Sequence, residues 1–198
     1  MEVFLIRLRT LFLIAAAMFL AGGLCNRVPE REWERGNFRP IGGKPFSLES
    51  GLALISICGA DEEIPASELP LDMAVRNATD RRVSTMFPAG LVFTPTNRSY
   101  QYMMLLQDFR FSVPERAETT ISLPTYCCND TLDTPDDESF YRFDIQVYER
   151  EPNELFDLVA DKRLEGDTAV PLAQEALFEI TEGDGLTDTM RALLRSLP

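Results

Sequence analysis

The chain contains no histidine. That absence alone removes Ser-His-Asp hydrolases, Cys-His proteases, His-ligated zinc enzymes and haem proteins with a histidine axial ligand. Positive charge is also scarce. Lys and Arg number 19 against 32 Asp and Glu, for a formal net charge of −13. Such a chain is repelled by nucleic-acid phosphates and by anionic lipid, which argues against DNA, RNA or polybasic membrane docking. No apolar run reaches the roughly 20 residues of a membrane-spanning helix. There is no Gly-rich phosphate loop, no zinc-ligand spacing and no serine-nucleophile elbow. What remains is a globular composition, 45% hydrophobic and 26% charged over 198 residues, enough for one domain with a proper core.

The first segment reads as an address. Arg7 and Arg9 precede the uncharged run LFLIAAAMFLAGGL at 11–24, with Ala21 and Gly23 as small residues near its end. A positive start, a short apolar stretch and small residues before a cut mark a secretory signal, expected over residues 1–23. Cys25 opens a second route, a lipoprotein whose mature chain begins at a lipidated cysteine; an uncleaved anchor is the third. All three place the body of the protein outside the cytoplasm, secreted, periplasmic or at the cell surface.

The remaining cysteines are Cys58, Cys127 and Cys128. In an oxidising compartment the expectation is a disulfide from Cys58 to one of the other two. The loop it closes, about 70 residues, is worth about 4 kcal/mol in the chain-entropy account.

Residues 24–47 are polar and rich in Pro and Gly, and read as a tether or lead-in strap that Trp33 and Phe38 can pin to the body. From 48 to 150 the period is two. LALISIC (52–58) suits a buried strand. LDMAVRN (71–77) puts Leu71, Met73 and Val75 on one face. RRVSTMF (81–87) and LVFTP (91–95) flank a Pro88-Ala89-Gly90 turn. MMLLQDFRFSV (103–113) places Phe109, Phe111 and Val113 inward and pairs as a hairpin with TTISLPTYC (119–127). FYRFDIQVYER (140–150) follows. About seven strands with turns every 8–12 residues predict a mainly β fold, an antiparallel β-sandwich, Ig-like or related. After Glu151 the period becomes helical, at 153–164, 170–181 and from Thr187, giving a small C-terminal helical subdomain over 151–198.

The loop at 129–139 carries Asp130, Asp133, Asp136 and Asp137. Calcium takes six to eight oxygens, so these four are the candidate metal ligands, although their spacing fits no calcium-loop template and lacks a central glycine. Paired carboxylates for acid–base catalysis carry little signal in so acidic a chain. Three Asn-x-Ser/Thr acceptors, at Asn77, Asn97 and Asn129, fall in expected turns.

Two distant pieces carry the most specific pattern. Thr125-Tyr126-Cys127 ends a strand with a cysteine behind an aromatic residue. Gln174-Glu175-Ala176-Leu177-Phe178 precedes Thr181-Glu182-Gly183. The pair resembles the thioester domains of bacterial surface adhesins. In those, an aromatic-Cys motif and a Gln-x-Ala-aliphatic-Trp motif, often trailed by Thr-Asp-Gly, form an internal Cys–Gln thioester. The resemblance covers about 15 residues. It implies Cys127 as the thiol and Gln174 as the acyl donor. Phe178 stands where the family has Trp, Glu182 where Asp is usual, and Cys128 adds a second thiol. Helical spacing sets Gln174 about 200° from Leu172 and Ala176, so it is expected to point away from the apolar stripe of its helix.

The sequence therefore predicts an exported, non-enzymatic binding or assembly module of a cell surface or envelope. Its partner is a protein or a surface polymer, with membrane contact only through the N-terminal segment. The alternative is a surface adhesin that reacts covalently through a Cys127–Gln174 thioester. No cofactor is expected beyond the candidate calcium.

Overall fold

The protein is described by a computed structural model over residues 38–40, 42–148 and 150–198. The expected signal segment, Cys25 and Trp33 lie outside the described residues.

The fold is mainly β, with ten strands in three antiparallel sheets and three helices at the C-terminal end among the described residues. The largest sheet has the order β1 (Lys44–Pro45), β10 (Tyr141–Gln146), β5 (Leu91–Pro95), β6 (Met103–Leu105) and β9 (Thr125–Cys127). A second sheet joins β2 (Leu52–Gly59), β3 (Leu71–Asn77) and β8 (Glu118–Leu123), and a third pairs β4 (Val83–Phe87) with β7 (Phe109–Val113).

The five-stranded sheet is covered on both faces. Successive side chains alternate across a strand. Leu91, Phe93, Met103, Leu105, Cys127 and Tyr141 join Leu71, Met73, Val75, Phe87, Val113 and Leu123 in a core between the sheets. Val92, Met104, Leu106, Tyr126, Cys128 and Val147 face a second core built with the helices α1 (Arg150–Val159), α2 (Gly166–Thr181) and α3 (Asp188–Arg195). That is why β5, β6 and β9 are buried at every position rather than at alternate ones. The helices are thus a layer of the same body. No helix among the described residues is long and apolar enough to cross a membrane.

Four expectations are corrected by this architecture. The run 103–113 is two strands. It breaks at Leu106-Gln107-Asp108, where the Gln107 amide donates to the Val159 and Lys162 carbonyls and Asp108 accepts from the Ala89 N–H. The run 119–127 breaks at Pro124, which has no N–H for a ladder. The hairpin therefore exists only at its base, where β6 pairs with β9, while β7 and β8 part to different sheets. Phe109 and Phe111 are half-buried and only Val113 is fully enclosed. β2 is not a buried strand either. It lies at an edge, bulges between Leu54 and Ser56, and exposes Ala53, Leu54 and Ile55.

The lead-in strap belongs in part to the body. Phe38 is fully buried against Tyr102, and Phe46 packs edge-on against Phe87 at 5.1 Å. The turn before β5 uses Gly90 at φ 79°, where a Cβ would meet the Phe156 ring at 2.8 Å. Helix α2 starts at Gly166, four residues before the expected 170, and α3 starts where expected, with the Thr187 hydroxyl accepting from the Met190 N–H.

Candidate functional site

β9 is the last strand of its sheet, so one side of its backbone has no strand partner. Side chains occupy that edge instead. The Ser67 hydroxyl donates to the Thr125 carbonyl at 2.6 Å. The Gln174 carboxamide brackets Cys127: its Oε1 accepts from the Cys127 N–H at 2.8 Å and its Nε2 donates to the Cys127 carbonyl at 2.8 Å. One amide thus does the work of a neighbouring strand for one residue, and satisfies an edge that would otherwise invite pairing. The carboxamide carbon, bonded to both of those atoms, sits opposite the Cα that bears the thiol.

The expected orientation of Gln174 is overturned by the face that α2 buries. Its buried apolar residues are Ala169, Val170, Ala173, Ala176, Leu177 and Ile180, while Leu172 is only half-buried. The stripe is centred one residue further along than Leu172 suggests. Gln174 follows Val170 by four residues and precedes Leu177 by three, about 40° and 60° away around the helix, on the flank of the buried face. Phe178, one turn on, packs against the same inter-sheet core as Cys127.

The two motifs meet a second time. Burial pushes the Glu182 carboxyl up, the Asp130 charge adds to this, and a backbone hydrogen bond from Asp130 works the other way. Glu182 follows Gln174 by eight residues and Asp130 follows Cys127 by three, so the two segments are near enough for their charges to interact. A pocket of about 230 Å³ opens here, lined by Cys127, Gln174 and Phe178, with Gln101, Glu68 and Asp130 also on its wall.

The thiol is neutral in this setting. Burial, then the Glu68 charge, pushes Cys127 up to about 12. Glu68 is exposed and held in place by its neighbours. Leu69 carbonyl accepts from the Thr125 hydroxyl at 2.9 Å, and Tyr126 OH donates to the Ala66 carbonyl at 3.0 Å. Cys128 faces the helix-side core and is fully buried, which raises its thiol well above the ordinary value. The second thiol is therefore kept away from the pocket by strand alternation.

In the structure no disulfide joins the described cysteines, although one from Cys58 is expected from the sequence. Cys58, Cys127 and Cys128 are free thiols. Ile57 of β2 enters the inter-sheet core with Cys127, so its neighbour Cys58 faces the other way, with its thiol 3.9 Å from the Asp72 carbonyl. The calcium candidates are not brought together. Asp130, Asp133, Asp136 and Asp137 are all exposed, and among the described residues no three acidic, Cys or His side chains gather to hold a metal ion. Their loop has local work. Asp133 backbone bonds Ser99 and Gln101, and the Asp136 carboxylate accepts from Tyr100 OH and the Glu138 N–H. Of the glycosylation acceptors, Asn77 and Asn129 are 1% exposed. Asn77 donates to the Arg81, Val113 and Pro114 carbonyls and Asn129 to the Phe38 carbonyl, so only Asn97 lies at the surface.

A larger groove of about 430 Å³ near Lys162 and Arg163 contains no residue of either motif, and its Lys162 ammonium is engaged by the Arg195 and Leu197 carbonyls. Sequence reasoning found Cys127 and Gln174 but missed Gln101 and Glu68, which carry no motif and reach the pocket only through the fold. Comparison with known protein families, curated proteins and solved structures finds no match.

Proposed function

We propose that the chain is an exported surface or envelope binding module that attaches to its partner through an internal Cys127–Gln174 thioester. The observation that carries this reading is the Gln174 carboxamide held by two hydrogen bonds against Cys127. The chemistry is intramolecular acyl transfer. The Cys127 S–H bond breaks, sulfur bonds the Gln174 carboxamide carbon, and the C–N bond breaks. The departing nitrogen takes the thiol proton and leaves as ammonia. Attack by a buried, neutral thiol on an amide is slow, so the reaction depends on Gln174 being held at the Cys127 backbone by its two hydrogen bonds, because held groups behave as if at very high concentration. A partner nucleophile then enters through the open pocket that Cys127 and Gln174 line. It bonds the acyl carbon and regenerates the thiol. Each chain reacts once, so the module is a covalent binder and not an enzyme.

Intact mass tests the reading. Protein made in an exporting host should be lighter by one ammonia, about 17 Da, and the deficit should vanish in Cys127→Ala. Methylamine should then add to Gln174. A full-mass protein that takes up no methylamine would leave Gln174 as an edge cap only. Export has its own test: N-terminal sequencing should find a chain starting near Leu24, or a blocked Cys25. An intact Met1 in soluble cytoplasmic protein would reject it.

A further inference from the structure

We propose that Asn97 is an attachment site for N-linked oligosaccharide on the folded, exported protein, and that the acceptor sequences at Asn77 and Asn129 carry none. The inference is independent of the thioester and rests only on the export part of the reading above.

The acceptor pattern is Asn-x-Ser/Thr with x other than proline, and three stretches fit it: Asn77-Ala78-Thr79, Asn97-Arg98-Ser99 and Asn129-Asp130-Thr131. As sequence they are equivalent. Sugar is joined to the side-chain nitrogen, Nδ2, so the fold must leave that atom accessible and leave room for a bulky, hydrated chain.

Asn77 and Asn129 fail on both counts. Each is 1% exposed. The Asn77 Nδ2 donates to the Arg81, Val113 and Pro114 carbonyls at 2.7, 3.1 and 2.9 Å, and its Oδ1 accepts from the Thr79 N–H and hydroxyl. The Asn129 Nδ2 donates to the Phe38 carbonyl at 3.3 Å, and its Oδ1 accepts from the Tyr102 N–H at 3.1 Å. Sugar at either nitrogen would break buried hydrogen bonds and force polar bulk into a closed space. A chain that carries sugar there does not reach this fold.

Asn97 differs. It is exposed, with Thr96, Arg98 and Ser99, in the loop between β5 and β6. Its Oδ1 accepts from the Ser99 N–H at 3.2 Å, an Asx turn over Arg98. The loop is held through its backbone: the Asn97 carbonyl accepts from the Tyr100 N–H at 3.2 Å and the Ser99 carbonyl from the Asp133 N–H at 2.9 Å. None of these bonds uses Nδ2. Asn97, Arg98 and Ser99 are also absent from the wall of the pocket at Cys127, so sugar here is attached outside the proposed attachment site.

The donor class is an oligosaccharide carried on a lipid pyrophosphate. The Asn97 Nδ2 bonds the anomeric carbon, and the bond from that carbon to the pyrophosphate oxygen breaks. The lipid pyrophosphate leaves with the electron pair, and the proton lost from Nδ2 passes to a base of the transferase.

The test has two arms. In the first, folded protein from a host without an oligosaccharyltransferase is incubated with a purified single-subunit oligosaccharyltransferase and the lipid-pyrophosphate donor. Intact mass should show one oligosaccharide. Enzymatic removal of the sugar in ¹⁸O-water converts the bearing Asn to Asp, so the peptide that holds residue 97 should gain about 3 Da. Ser99→Ala, which keeps Asn97 but removes the acceptor pattern, should carry no sugar. The unfolded chain, with every amide open, serves as the control for enzyme competence and should accept sugar at Asn77 and Asn129 as well. Folded parent without sugar, folded parent with sugar at Asn77 or Asn129, or sugar retained at 97 in Ser99→Ala overturns the proposal. In the second arm the full chain is expressed in a glycosylating secretory host, and the secreted protein should carry sugar at Asn97 alone. A chain kept inside the cell with Met1 intact rejects export, while the first arm still decides Asn97.

Discussion

Cys127 and Cys128 are adjacent in sequence and face opposite cores: Cys127 the space between the sheets beside Phe178, Cys128 the helices. Native thiol labelling should separate them. Cys58, half-buried on an edge strand, should react first, and Cys128 only on unfolding. Quantitative labelling of Cys128 in folded protein, at the rate of Cys58, would show that the strand does not alternate as described.

Removal of the Gln174 carboxamide leaves the Cys127 N–H and C=O without partners at a buried edge. In the Cys127→Ala background, which forms no thioester and keeps the same backbone groups, Gln174→Leu should therefore destabilise by about 2–4 kcal/mol, read from denaturant midpoints. Gln174→Glu keeps an acceptor for the N–H but sets a carboxylate against the carbonyl, and should fall between the two. A loss within the usual surface scatter of about 0.5 kcal/mol would mean that water replaces the amide freely.

The aromatic core between the sheets is centred on Phe87, not Phe111. Phe87 is fully buried, with the rings of Phe46, Phe111 and Phe143 at 5.1, 4.9 and 5.4 Å. Phe87→Ala should cost about 3–5 kcal/mol. Phe111→Ala, at a half-buried position, should cost less. Equal losses, or the reverse order, would contradict this packing.

Glu182 gives a pH signature. Its carboxyl is raised by burial and then by Asp130, so carrying the charge is costly in the folded state. Stability from this group is fully present below the ordinary carboxylate range and is lost as pH rises through the raised value. Glu182→Gln keeps the shape of the side chain but no charge. Its stability advantage over the parent should be small near pH 4 and larger at pH 7. An advantage that is the same at both pH values would remove burial of the charge as the cause.

Local physics in the sequence determined much of this molecule. The alternation Leu71, Met73, Val75 specified β3 and its buried face, and the Thr187 cap specified the start of α3, because period and capping are set by residues close in the chain. The two motifs that hold Cys127 and Gln174 are visible in the sequence, and the structure brings the Gln174 carboxamide to the Cys127 backbone. What the sequence could not determine is which neighbour each strand meets. Apolar runs at 91–95 and 103–105 read alike whether one face or both are covered, and only docking of the helices makes both faces core. The sequence reading carries one strand through Pro124, and only the sheets decide that β8 and β9 part there. Likewise the side of α2 that carries Gln174 depends on which of its apolar residues the sheet covers. That is a long-range packing outcome, and it turned an amide expected in solvent into the partner of Cys127.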